Sequence, residues 1–392
     1  MVGMANSVHT ARWLSQLDGT EWEVHLFPSI DPARHAAIHD VRMHDLGYSL
    51  LAGRDEGAPE GSLRWTRLKA AQTAAQFLAR SAERRRPGWR ARWLARVIQK
   101  VQPQIIHSLE IQHAGYLVRD ALDLLPGERP RWIVSNWGSD IYLFGRFAEH
   151  AGRITEVLRE CDHYVCECRR DVALAEAFGL RPDKVLGVIP CAGGLDLRAV
   201  RAMSPDATST RRLILVKGYQ DWAGRALVAL AAIGASADAL RGYRIAVNLA
   251  SQDVELATRL LASTSGLEAE IIPRCSHAEM LAWYGRARIF IGLSISDAIS
   301  TSLTEAMALG AFPIQSCTAC ADEWLVDGVS GLIVPPEDPA RVAAAIRTAV
   351  LDDALVDNAA RDNWETVKTR LSSVEIREQV LAAYRRVMET VR

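Results

Sequence analysis

The sequence predicts an α/β protein built as two doubly wound parallel sheets. Three observations predict it. Short apolar stretches alternate with helical patterns along the chain, those stretches fall into two sets, and a polar run with a proline (203–210, MSPDATST) lies between the sets. A length of 392 residues agrees, because one ordinary core does not grow that large.

The first set of candidate strands comprises residues 22–27 (WEVHLF), 105–109 (IIHSL), 132–136 (WIVSN), 163–166 (HYVC) and 185–189 (VLGVI). Only residues 1–5 stand where an opening strand is expected, so that strand is very short or the sequence begins inside it. The second set comprises 213–216 (LILV), 244–249 (RIAVNL), 270–272, 289–293, 312–314 and 332–334. With 203–210 as the linker, the expected domains are 1–202 and 203–372. The remainder, 373–392, carries a helical pattern (374–391) that suits either domain, including packing back on the first.

A net charge of −1 and an apolar share of 49% are those of a soluble globular protein. No stretch approaches the roughly 20 apolar residues that cross a bilayer, and no signal peptide precedes residue 20, so a cytoplasmic location is expected. Seven irregularly spaced cysteines do not suggest a disulfide framework. Cys317 and Cys320 form a CxxC without the second pair or the histidines of a zinc site, and read better as core thiols.

The richest segment is 294–315 (SISDAISTSLTEAMALGAFPIQ), which sets Asp297 eight positions before Glu305 across a strand-to-helix turn. An apolar stretch (287–293, ARIFIGL) precedes it as a buried strand, and good helix formers follow from Ser302 to a stop at Gly310. Ser300, Thr301 and Ser302 therefore lie at a helix N-terminus, where unpaired N–H groups and the helix dipole favour an anion such as phosphate. One carboxylate can reach ribose hydroxyls and the other a sugar. The same pattern would also serve as a helix cap, with a Ser/Thr/Asp followed three positions later by Glu.

EAMALGAFPIQ, the Asp-x7-Glu spacing and DEWLVDGVSGLIVPPED resemble the donor-binding domain of family 4 retaining glycosyltransferases of the GT-B fold, two Rossmann-like domains facing a central cleft. The resemblance is strong from Leu213 to about Val350, and weaker in SVHTARWLSQL, PQIIHSLEIQHAG, NWGSDIY and VIPCAGGLD. It implies a nucleotide-diphosphate sugar as donor on the C-terminal domain and a glycan or lipid-linked acceptor on the N-terminal one, in cell-surface polysaccharide or glycolipid assembly. It also implies retention of anomeric configuration, with the leaving phosphate taking the acceptor proton. No Asp-x-Asp metal motif accompanies these segments, so no metal and no cofactor are expected.

Carried over by residue, the resemblance puts Glu305 on the ribose, Thr301 and Ser302 on the diphosphate, and Asp297, where relatives carry glutamate, on the transferred sugar. Relatives also supply an arginine and a lysine after the first strand of this domain to offset the leaving charge. Strict alignment puts Tyr219 and Gly224 at those positions, so Lys217 and Arg225 are the expected substitutes. Base recognition is expected on the loop around Arg274. On the acceptor side, Asn136, Trp137 and Asp140 stand where many relatives carry a histidine before a Gly-x-Asp turn, and Ser7, His9 and Arg12 occupy the first strand-to-helix turn. Gly193 and Gly194, ahead of Asp196, are expected to serve backbone geometry.

Residues 63–100 hold eleven Lys/Arg against one acid, interspersed with Trp65, Phe77, Trp89 and Trp93. This segment reads as a surface for anionic lipid at the inner membrane face or for a phosphate-bearing acceptor, or as two solvated helices with inward tryptophans. No nucleic-acid motif accompanies it. Two further classes fit the same fold: a sugar-nucleotide-dependent phosphorylase or epimerase, and a binding protein without turnover.

Overall fold

The computed structural model describes residues 1–30, 34–44, 74, 77, 81, 83–203 and 205–390. The chain divides into two compact units, Met1–Gly193 with Arg377–Arg392, and Gly194–Ile376. The division falls at a Gly193–Gly194 turn, so residues 194–202 go with the second unit. Both glycines have positive φ, +76° and +75°. A Cβ there would lie 2.4 Å from Gln16 Nε2 or 2.7 Å from the Leu371 carbonyl, so only glycine fits.

In the first unit, strands β1 (Val2–Gly3), β2 (His25–Pro28), β3 (Arg42–Met43), β4 (Ile105–Leu109), β5 (Arg131–Ser135), β6 (His163–Cys166) and β7 (Val185–Val188) form one sheet in the order β3-β2-β1-β4-β5-β6-β7. Every pairing is parallel. The opening strand is two residues long, with Val2 buried between Phe27 and Ser108. Helices α1 (Val8–Ser15), α2 (Trp89–Val101), α3 (Tyr116–Leu122), α4 (Ala148–Glu160) and α5 (Arg169–Ala177) connect the strands.

The second unit carries α6 (Leu197–Ala202), then β8 (Leu213–Lys217), α7 (Ala226–Ala235), β9 (Arg244–Asn248), α8 (Gln252–Ser265), β10 (Glu268–Ile271), α9 (His277–Arg286), β11 (Ile289–Gly292), α10 (Thr301–Ala308), β12 (Phe312–Ser316), β13 (Leu332–Val334), α11 (Pro339–Leu351) and α12 (Asp353–Arg370). Its parallel sheet runs β10-β9-β8-β11-β12-β13. Ile214, Val216, Ile245, Val247, Ile289 and Ile291 are completely buried. Helices on both faces leave these strands no solvent side, which is why they read as apolar runs without alternation.

The last helix, α13 (Ser373–Glu389), belongs to the first unit from Arg377 onward. Its buried Tyr384 hydroxyl accepts from Trp13 Nε1 at 2.9 Å and lies 2.6 Å from His107 Nδ1, while His107 Nε2 lies 2.7 Å from Ser135 Oγ. Burial drives the His107 imidazolium pKa down to about 3, so the ring is neutral.

Strand order reverses beside β1 and β4 in the first sheet and beside β8 and β11 in the second. In doubly wound sheets, ligands bind at the carboxyl ends of the strands flanking such a reversal.

Candidate donor site

Lys217 ends β8 beside Asn248 of β9, and the loop that follows doubles back against the loop after β11. Arg225 N donates to the Leu293 carbonyl at 3.0 Å and Ile295 N to that of Ala223 at 2.8 Å, with Gly224 bridged to Ser294. This places Lys217 opposite Asp297 and Ser300. The ammonium lies 3.6 Å from Asp297 Oδ2 and donates to Ser300 Oγ at 3.3 Å. Tyr219 lies alongside, its ring centroid 5.9 Å from Lys217 Nζ, and burial together with Asp221 and Asp297 raises its hydroxyl pKa.

Ser300 is the N-cap of α10, with no hydrogen bond from its side chain to the first turn. The third helical residue is Leu303, so Glu305 cannot close a capping box, and the cap reading of this segment does not hold. Leu303 N and Thr304 N donate to the Ser300 carbonyl, whereas the N–H groups of Thr301 and Ser302 find no acceptor among the described residues. These two donors at the positive helix end are what a phosphate needs. Glu305, one turn further in, is 4% exposed and its Oε1 lies 2.7 Å from His277 Nε2.

The structure thus brings Lys217, Asp297, Ser300, Thr301, Ser302 and Glu305 together. Arg225 caps the start of α7, and its guanidinium goes to Glu337 (Nε to Oε1, 3.0 Å) and to the carbonyls of Trp222 and Gly224. Arg274 is exposed in the loop after β10, at the sheet edge. The missing basic register has a steric cause: a Cβ at Gly224 would lie 1.8 Å from the Tyr219 carbonyl oxygen, so no lysine can stand there.

In the first unit, Ser7 caps α1 by accepting from His9 N at 3.2 Å, and Arg12 lies in the last turn of the same helix. The His9 ring packs 5.6 Å from that of Trp137, with Nδ1 3.5 Å from Cys191 Sγ. Asn136 is buried and donates to Asp171 Oδ2 at 2.7 Å. Burial raises the Asp171 carboxyl pKa against the opposing pull of Arg170. Asp140 is also buried, and its Oδ2 accepts from Ile111 N (3.0 Å) and Trp137 N (2.9 Å). That carboxylate organises its own loop, and burial with nearby Glu110 raises its pKa well above the usual range. His9 and Trp137 are the pair presented at this edge.

Of the basic segment 63–100, residues 63–73, 75, 76, 78–80 and 82, with Trp65 among them, lie outside the described residues. In the described part, Arg84, Arg85, Arg86, Arg92, Arg96 and Lys100 are exposed. The one acid, Glu83, accepts from Gly88 N (2.7 Å) and Arg90 N (3.0 Å). Trp93 turns inward, edge-on to Phe27 at 4.8 Å, with Trp89 tilted against it, while Phe77 is exposed. The tryptophan inventory therefore belongs to packing here, and the charge to the surface.

Sequence reasoning missed His277, Tyr284 and Glu337. A signal for the first existed in Ser276-x-x-Glu279, a capping box that puts His277 at the first position of α9. Glu337 lies within the PPED run but points to a loop more than a hundred residues earlier, which spacing does not reveal.

Two parallel α/β sheets, each with its own helices, define a two-domain architecture of the GT-B type, with a Lys–Asp–Ser–Glu cluster at the carboxyl edge of the second sheet. Residues 252–365 match the model of the family described as glycosyl transferases group 1. Over 124 residues the chain is 29% identical to D-inositol 3-phosphate glycosyltransferase 1 of Catenulispora acidiphila, a match covering 32% of this chain and 29% of that protein. The chain thus spans less than a third of that curated relative's length. Among solved structures, HepE of Anabaena in complex with UDP-glucose superposes with a TM-score of 0.66 at 13% identity, covering 98% of each chain. Sucrose-phosphate synthase of Thermosynechococcus elongatus superposes at 0.65 and 17% identity, covering 99% of each. At these identities the superpositions establish the fold.

Proposed function

We propose that the protein is a retaining glycosyltransferase that moves a sugar from a nucleotide-diphosphate donor to a hydroxyl of a glycan or lipid-linked acceptor. The observation that carries the reading is the Lys217 ammonium seated between Asp297 and Ser300 at the open N-terminus of α10, with Glu305 one turn behind. The solved relative with UDP-glucose bound and the curated relative that glycosylates an inositol phosphate support it.

In this reading the donor diphosphate rests on the N–H groups of Thr301 and Ser302, and Glu305 accepts from ribose hydroxyls. Lys217 offsets the charge that develops as the bond from the sugar's anomeric carbon to the phosphate oxygen breaks, without an obligatory metal. Arg225 adds to this once the incoming phosphates draw it from Glu337, and Arg274 flanks the base. Asp297 accepts from a sugar hydroxyl. The acceptor oxygen bonds to the anomeric carbon on the face the phosphate leaves, and its proton passes to the departing phosphate oxygen, so configuration is retained. His9 and Trp137 contact acceptor or sugar, with Ser7, Arg12, Asn136 and Asp140 holding that edge.

No helix among the described residues is long and apolar enough to cross a membrane. Exposed Arg92, Arg96 and Lys100 on α2, at four-residue spacing, form a basic face suited to anionic lipid, which would place the enzyme peripherally at the cytoplasmic membrane face during surface polysaccharide or glycolipid assembly.

A panel of UDP-, GDP-, ADP- and TDP-sugars tests the reading by thermal stabilisation, since a ligand of the folded state raises the melting temperature. One nucleotide series should stabilise the wild type and not Glu305→Ala, and NMR of the product should show a retained anomeric configuration. No shift with any donor, or full turnover in Glu305→Ala, would end the assignment.

A further inference from the structure

We propose that His277 is a positioning residue of this site, holding the Glu305 carboxylate in the orientation that reads ribose hydroxyls. The inference rests on the donor-site reading above. Glu305 is nearly buried, and a carboxylate only accepts, so one of its oxygens needs a fixed donor if the group is not to turn about its last torsion. His277 Nε2 stands 2.7 Å from Oε1 with its ring half-exposed.

The ring is itself held. The Ser276–Glu279 capping box locks the first turn of α9, with Ser276 N donating to Glu279 Oε2 at 2.7 Å and Glu279 N to Ser276 Oγ at 3.3 Å. Seven residues and two turns later on the same face, buried Tyr284 lies next to the Ser302 side chain. Helix α9 therefore grips α10 at two points, one on the turn that meets phosphate and one on the carboxylate that meets ribose.

The test is calorimetric titration of the whole protein with UDP and with 2′,3′-dideoxy-UDP, for wild type, His277→Ala and His277→Gln. His277→Ala should bind UDP about tenfold more weakly, the loss of one charge-assisted hydrogen bond, and His277→Gln should recover to within about threefold of wild type. Wild type and His277→Ala should bind the dideoxy nucleotide alike, which a merely structural role for the histidine would not produce. Unchanged UDP affinity in His277→Ala, or equal losses for both nucleotides, overturns the inference; it does so alone if Glu305→Ala still loses UDP. If the wild type does not bind UDP, GDP and ADP with their dideoxy forms replace it, and binding of none overturns inference and donor site together.

Discussion

Replacing Asp297 with asparagine should tighten nucleoside diphosphate binding while slowing sugar transfer. The Asp297 carboxylate lies 3.6 Å from the Lys217 ammonium, and unit charges at that separation interact by about 5 kcal/mol at an effective dielectric near 20. The two side chains are 31% and 19% exposed, and solvent screening leaves about 1–2 kcal/mol of that attraction. An arriving diphosphate competes with Asp297 for the same cation, so Asp297→Asn should bind UDP about 5–30-fold more tightly by calorimetry. Turnover with the sugar nucleotide should fall at least about tenfold, because an amide holds a sugar hydroxyl less well than a carboxylate does as positive charge builds at the anomeric carbon. Unchanged or weaker UDP binding in Asp297→Asn would refute the claim that Lys217 is a phosphate-facing cation held in reserve by Asp297.

Other outcomes follow from the same geometry. Tyr384→Phe strands the indole N–H of Trp13 and one nitrogen of His107 in the core, and should cost about 2–4 kcal/mol in urea melts, with an undiminished loss in a Trp13→Phe background counting against the network. Acid should destabilise the fold through His107, whose imidazolium pKa is about 3 folded against 6.5 unfolded. Between those values the unfolded chain holds a proton that the native ring refuses, so stability present above pH 6.5 is lost on acidification by about 1.4 kcal/mol per unit. His107→Gln should show a shallower decline from pH 6.5 to 4.5, and equal slopes would contradict the assignment. Charge reversal of Arg92, Arg96 and Lys100 to glutamate should abolish flotation with anionic vesicles and leave melting temperature within a few degrees; equal non-binding of wild type to anionic and neutral vesicles discards the lipid surface.

Much of the fold was legible because parallel strands buried on both faces announce themselves as apolar runs. The strands at Ile105–Leu109, His163–Cys166 and Leu332–Val334 begin and end where composition places them. Those at Val2–Gly3 and Arg42–Met43 do not, since two residues carry no periodicity and the sheet's hydrogen bonds alone define them. Expected residues 22–27 shift to His25–Pro28 for the same reason, the edge being decided by register with β1. In the site, the segment from Asp297 to Glu305 was readable because helix-start chemistry is local. The partnerships of Glu305 with His277, of Arg225 with Glu337 and of Asp140 with the Ile111 amide are not, because each joins segments that only the tertiary structure brings together. Gly224 looked like a lost basic position and is instead a point where the backbone passes too close for any side chain.

Amide hydrogen exchange with and without the stabilising sugar nucleotide tests the central claim most directly. The account predicts slowed exchange at the amides of Thr301 and Ser302 and in the loop holding Asp297, reduced in Glu305→Ala at the same donor concentration. Tight donor binding that leaves the 297–305 peptide unprotected, with protection elsewhere in the chain, would contradict it.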